Sequence, residues 1–203
     1  MEEGKKNTPI IFTIGHSTRP LDAFTHILQS HAITRVVDVR TIPRSRHNPQ
    51  YNHETLPAAL KEKGVEYTHM AGLGGLRRAQ PDGLNAGWHN PSFKGFADYM
   101  QTKEFSENLE LLMERSQHET AVLMCAEAVP WRCHRSLIAD ALLVHGRIIE
   151  DIIGSAPSSA HVLTPWAYVD GFTVTYPADA AVRYENLRPR KLNKKKQGND
   201  EIP

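Results

Sequence analysis

Five short apolar runs recur along the chain, and each is followed by a polar or glycine-rich turn and then by residues of helical period. The runs are residues 9–14, 35–40, 65–70, 121–125 and 147–153. Runs this short, rich in Val and Ile, suit strands buried on both faces, as in a parallel sheet. Between them lie helical stripes: Phe24, Ile27 and Leu28, then residues 54–63 stopped by Gly64. A long amphipathic helix is expected over residues 96–115, with Phe105, Leu109, Leu112 and Met113 inside. Another is expected over residues 133–146, with Leu137, Ile138, Ala141 and Leu142 on one face and Gly146 closing it. Ser17 or Thr18 is placed to cap the first helix, with Pro20 in its first turn.

This alternation predicts an α/β fold: a single three-layer domain with a mainly parallel, Rossmann-like sheet of about five strands flanked by helices. The domain is expected over residues 9–176, where 162–176 adds a strand or packs peripherally, and residues 177–203 read as a basic, disordered tail. A chain of 203 residues suffices for one domain with a sizeable core. A formal charge of +1 argues for no strongly acidic or basic partner, although six of the 24 basic residues fall in 188–196. Two cysteines, no apolar leader and no long apolar run lead us to expect a reduced, cytoplasmic protein with no membrane partner.

Right-handed crossovers place the carboxyl end of every parallel strand on one side. The segments just past those ends are Gly15-His16-Ser17, Asp38-Val39-Arg40 with the loop bearing Arg44, Ser45 and Arg46, Gly72-Leu73-Gly74-Gly75, and Cys125-Ala126-Glu127. Open α/β sheets hold their ligands at this edge. Arg40, Arg44, Arg46 and Arg135, with Ser17, Ser45 and the Gly74-Gly75 backbone, suit a phosphate or other small anion. The same arginines also suit structural pairing with Asp38 and Glu127. The stretch from Arg78 to Phe93 forms a long loop rich in Gly, Pro and Asn, a length that favours a binding loop or lid.

Several residues carry possible chemistry. Cys133 opens the last helix beside His134, between Arg132 and Arg135, where a thiolate is favoured. Cys125 sits directly after a strand, but the C-x5-R spacing of a cysteine phosphatase is absent. The alternative is that both cysteines are packed structural residues. Glu127, near Pro130 and Trp131, suits general acid/base work if its surroundings are apolar, and Asp38 can pair with it across adjacent strands. His16 reads either as a base or ligand, or as a donor to a loop carbonyl. A metal site from Cys125, Cys133, His134 and His16 lacks paired spacing, and adjacent residues on a helix point about 100° apart. No metal is therefore assigned, and no motif names a cofactor. Tyr51, Trp88 and Trp131 are candidates to stack a base, or to pack. The basic loop and tail leave nucleic acid as a further partner class.

Taken as an ordered set, these segments resemble the DUF488 family of bacterial and archaeal proteins. The resemblance rests on Thr13-Ile14-Gly15-His16-Ser17, on Asp38-Val39-Arg40 followed by Pro43, Arg44 and Ser45, on Leu73-Gly74-Gly75, and on Cys125-Ala126-Glu127 with Cys133-His134-Arg135. It spans roughly residues 10–153 and implies an α/β domain with a parallel sheet, but no reaction. The residues themselves favour an enzyme, a hydrolase or group transferase acting on a phosphorylated or nucleotide-like substrate. Glu127 and Asp38 would move protons, and Cys133 or Cys125 would be the nucleophile. Two other classes stay open: a non-catalytic nucleotide or nucleic-acid binding module, and a metal-dependent enzyme with Cys/His ligands.

Overall fold

The computed structural model describes residues 9–81 and 83–180. The expected strands are present: β1 (Ile10–Gly15), β2 (Arg35–Asp38), β3 (Glu66–His69), β4 (Ala121–Cys125) and β5 (Ile148–Ile152). All five run parallel, in the order β3-β2-β4-β1-β5, and β6 (Ser159–Ala160) adds an antiparallel edge to β5. Every residue of β4 is buried, as its unbroken apolar run requires of a strand paired on both sides and covered on both faces.

Period-two alternation divides the sheet's side chains between two layers. Phe12, Ile14, Val36, Val122 and Met124 pack against α1 (Leu21–Ser30) and α2 (Leu56–Lys61) through Phe24, Leu28, Leu56 and Leu60. Ile11, Val37, Leu123 and Ile149 pack against α3 (Pro91–Tyr99), α4 (Lys103–Arg115) and α5 (Arg135–Val144). The three-layer expectation therefore holds.

Three local expectations do not. The single helix over 96–115 is two helices, α3 and α4, broken at Thr102, whose extended backbone (ψ 152°) ends one and starts the next. Its hydroxyl oxygen accepts from the Phe105 amide at 3.3 Å, and a capping threonine interrupts a stripe that hydrophobic period alone carries through. Neither Ser17 nor Thr18 caps α1: Pro20 stands at the cap position, and Ser17 takes a left-handed conformation instead (φ 51°). Cys133 lies outside α5, in extended backbone (φ −138°, ψ 141°).

The segment after β5 contributes β6 and a separate hairpin, β7 (Tyr168–Asp170) with β8 (Thr173–Thr175). It is pinned by a buried polar network centred on His161. Its Nδ1 lies 2.9 Å from Asp151 and its Nε2 3.1 Å from Asp140. Asp140 also accepts from the Tyr176 hydroxyl at 2.8 Å, and Asp151 from the Thr13 hydroxyl at 2.5 Å. Burial alone would lower the His161 pKa, but the hydrogen bonds and charges of the two aspartates outweigh it and raise it to about 9. The basic stretch 188–196 lies outside the described residues. No helix among the described residues is long and apolar enough to cross a membrane.

The connections out of β1 and β4 set the position of the site. From β1 the chain passes through α1 towards β2, and from β4 through α5 towards β5, in opposite directions and on opposite faces of the sheet. These strands are neighbours, so the chain leaves their paired carboxyl ends towards opposite faces of the sheet, a topological switch point of the kind at which α/β sheets open a crevice.

Candidate functional site

A cleft of about 650 Å³ opens at that point. It is lined by His16, Ser17 and Thr18 after β1, by residues 125–128 after β4, by Arg40 and the 41–48 loop after β2, and by Gly75, Leu76, Ser92, Phe93, Arg132, Cys133 and His134. Backbone bonds stitch its two main loops together, with the His16 amide donating to Cys125 O and the Ser17 amide to Ala126 O, both at 2.9 Å. A Cβ on Gly15 would fall 1.7 Å from Glu127 O, so this close approach of the loops admits only glycine. Ser17, a non-glycine residue at φ 51°, holds strain at the cleft mouth.

The floor beneath is a rigid neutral assembly. Asp38 is fully buried and does not line the cleft. Its Oδ1 accepts from Arg40 Nε at 2.8 Å and from the Arg40 amide at 3.0 Å, and its Oδ2 from Arg40 Nη2 at 2.5 Å and from Tyr67 Oη at 2.7 Å. Arg40 Nη2 also donates to Tyr51 O at 2.7 Å. His16 stacks on Tyr51 with centroids 4.1 Å apart. Its Nδ1 lies 2.7 Å from Ser17 O and its Nε2 3.2 Å from Arg40 Nη1. A guanidinium only donates, so Nε2 accepts and Nδ1 carries the proton. Burial first, and the Arg40 charge with it, lowers the His16 pKa to about 4, so the ring is neutral. Asp38 thus holds Arg40, the pairing that was the alternative to catalysis, and the anticipated Asp38–Glu127 couple does not form.

The rim is looser. Glu127 is exposed, not set in apolar surroundings, and is the one carboxylate among the cleft's lining residues. Arg44 is exposed and paired with the exposed Glu54. Arg132 lines the cleft, exposed, with no ion pair among the described residues. The Ser45 amide donates to Asn52 Oδ1 at 2.6 Å, which fixes the 45–52 loop. Arg135, expected to meet an anion, is fully buried away from the cleft. Its Nη1 donates to Glu127 O at 2.6 Å and its Nη2 to Ala128 O at 3.2 Å, so it shapes the loop after β4. Arg46 and Gly74 do not line the cleft, while Gly75 does.

Against this edge stand Cys125, at the end of β4, and Cys133 and His134, just before α5. Both cysteines are buried free thiols. His134 Nε2 lies 3.0 Å from Val39 O and 3.1 Å from Leu73 O. Carbonyls only accept, so the proton sits on Nε2 and the Nδ1 lone pair faces Cys133 Sγ at 3.7 Å. The thiol of Cys125 donates to Cys133 and, with the Arg135 charge and amide, lowers the Cys133 pKa to about 7 against the opposing effect of burial. The same pairing, with burial, pushes the Cys125 thiol well up. The sulfurs of Cys125 and Cys133 and a ring nitrogen of His134 all lie within 4.8 Å of one another. Extended backbone at Cys133 removes the angular objection raised by placing both residues on one helix.

Of the aromatic candidates, Tyr51 is buried under His16, Trp88 packs on Phe93, Trp166 and Tyr176, and Trp131 lies outside the cleft. Phe93 is the aromatic that lines it. Sequence reasoning missed Thr18, Thr41, Asn48, Ser92 and Phe93. The last two had a signal, because Asn90-Pro91 marks the start of α3, where Asn90 Oδ1 accepts from the Ser92 amide at 2.9 Å.

Comparison with known proteins found no curated protein and no solved structure that matches the chain. The sequence profile of DUF488, described as a domain of unknown function, matches residues 20–142, more than half of the chain. That span holds α1 to most of α5, including Asp38, Arg40, Glu127 and the Cys125, Cys133 and His134 cluster. The chain therefore belongs to the DUF488 family.

Proposed function

We propose that the protein is an enzyme, a hydrolase or group transferase, that takes a small phosphorylated or nucleotide-like substrate into the cleft at the carboxyl ends of β1 and β4. One observation carries this reading: a switch-point cleft whose rim bears two exposed arginines, Arg132 without an ion pair among the described residues and Arg44 in an exposed one, and one carboxylate stands over a cluster of two cysteines and a histidine. Its volume of about 650 Å³ suits a metabolite.

Anion recognition falls to the rim. The Arg44–Glu54 pair is exposed on both sides, and such pairs contribute up to ~1 kcal/mol, less than a charge-assisted fork to phosphate in a partly closed cleft. Arg44 is therefore free to change partner, and Arg132 has no ion pair to break. The amides of Thr18, Glu127 and Ala128 make no hydrogen bond among the described residues and add neutral donors. Arg40, neutralised by Asp38, and His16, neutral, form a fixed floor whose hydrogen bonds need no rearrangement on binding. Glu127 is placed for proton transfer at the substrate, and the reacting end of the substrate lies over the Cys/His cluster. Two free thiols at the site fit a reducing compartment such as the cytoplasm.

A library of phosphorylated metabolites screened by thermal shift tests the binding half, since ligands of the native state raise its stability. The expected result is a hit whose shift is largely lost in the Arg44→Ala/Arg132→Ala variant. Equal shifts in the variant and the wild type would refute the rim as the anion site. A hit that binds the rim and is never turned over would make the protein a binding module.

A further inference from the structure

We propose that Cys125, Cys133 and His134 form a mononuclear site for a thiophilic divalent cation, zinc before others, with its fourth position open to the cleft. This rests on the reading of the cleft as a substrate site and supplies its electrophile.

Four observations converge. The first is distance. Tetrahedral zinc with Zn–S of about 2.3 Å and Zn–N of about 2.05 Å sets sulfur and nitrogen ligands ~3.6 Å apart and two sulfurs ~3.8 Å apart. Cys133 Sγ and His134 Nδ1 are 3.7 Å apart, and all three donor atoms fall within 4.8 Å of one another. The second is the imidazole. Its Nε2–H is held by two backbone carbonyls, Val39 O and Leu73 O, which fixes the tautomer that presents Nδ1 to a metal. Metal-ligating histidines are oriented by a partner of this kind.

The third is access. All three residues line the cleft, so three protein ligands leave one position for water or substrate, the pattern of a catalytic zinc site and not of a closed structural one. The fourth is donor chemistry. Two thiolates and an imidazole, with no carboxylate in the cluster, select zinc-like metals over magnesium or calcium, and the two thiolate charges balance a divalent ion. Gly75 completes the mould, since a Cβ there would fall 2.5 Å from His134 Nδ1 and displace the ring. A cation so placed would act as a Lewis acid on a substrate oxygen or lower the pKa of a bound water.

The test uses the full chain, reduced, freed of metal by chelator and titrated without oxygen with Zn²⁺ and with Co²⁺. The chain contains two cysteines, so any thiolate-to-cobalt charge-transfer band arises from Cys125 and Cys133. The expected result is one equivalent bound, with that band and a tetrahedral d–d spectrum. Zn²⁺ affinity should fall at least ~100-fold in Cys133→Ser and in His134→Ala, and ~10-fold or more in Gly75→Ala, which removes no ligand. A missing band in folded wild type, or unchanged zinc affinity in Cys133→Ser, overturns the site. So does a native Cys125–Cys133 disulfide that, once reduced, takes up no metal. No substrate enters the measurement. A metal that binds while no phosphorylated ligand does would leave the site standing and sink the substrate reading.

Discussion

Replacing Asp38 by Asn should cost stability before it costs chemistry. The carboxylate is fully buried and accepts four hydrogen bonds, three of them from Arg40 and one from Tyr67. An asparagine keeps the shape but removes the charge and turns an NH2 group towards donors already aimed at it. The guanidinium of Arg40, a residue 6 % exposed, is left without a counter-charge. Breaking a buried pair in this way costs about 3–5 kcal/mol. In a chain of this size each kcal/mol shifts Tm by ~2–4 °C, so a fall of roughly 6–20 °C is expected. Urea unfolding and calorimetry read it directly. The Asp38→Asn/Arg40→Met variant should recover part of the loss, because removing both partners removes the stranded charge. A loss below ~1 kcal/mol in Asp38→Asn, or no recovery in the double variant, would refute the account of the floor.

The two perturbed histidines should lower stability on either side of about pH 6.5, for opposite reasons, while the lowered Cys133 pKa offsets part of the alkaline loss between about pH 7 and 9. The His161 pKa is raised from 6.5 to about 9 in the fold, so its contribution is complete below pH 6.5 and is lost as pH rises through 9. The His16 pKa is lowered from 6.5 to about 4, so the unfolded chain takes up a proton first and stability drops as pH falls from 6.5 to 4. Each limb is worth on the order of 3 kcal/mol. Urea midpoints across that range measure them, and His161→Asn should flatten the alkaline limb alone. An alkaline limb unchanged in that variant would contradict the assignment.

The strands and their parallel order of connection were legible because strands buried on both faces leave unbroken apolar runs, and β4 is the clearest instance. The switch point was not legible, because alternation leaves open the strand order that creates it. Thr102 was not legible, since a capping threonine inside a continuous stripe looks like one more surface position. Most of the candidate residues line the cleft, but their division into floor and rim was not legible. Asp38, Arg40 and Arg135 sit beside Arg44 and Glu127 in any list of strand-end polar groups. Only burial separates the first three, which hold loops in place, from the last two, which face solvent. The convergence of Cys125 with Cys133 and His134 was hidden for a related reason. It depends on Cys133 being extended just before α5, and one residue of helix there would turn its sulfur away.

The central claim is that the cleft does chemistry on its ligand with Glu127 as the proton-transfer group. The most direct measurement is steady-state kinetics and ligand affinity, side by side, for wild type and Glu127→Gln with a phosphorylated substrate identified by thermal shift. Glu127 is exposed and its side chain makes no hydrogen bond or ion pair among the described residues, so the variant should fold as wild type. The account predicts that kcat falls by about 10²–10⁴ while Kd changes little. A kcat within threefold of wild type would contradict it.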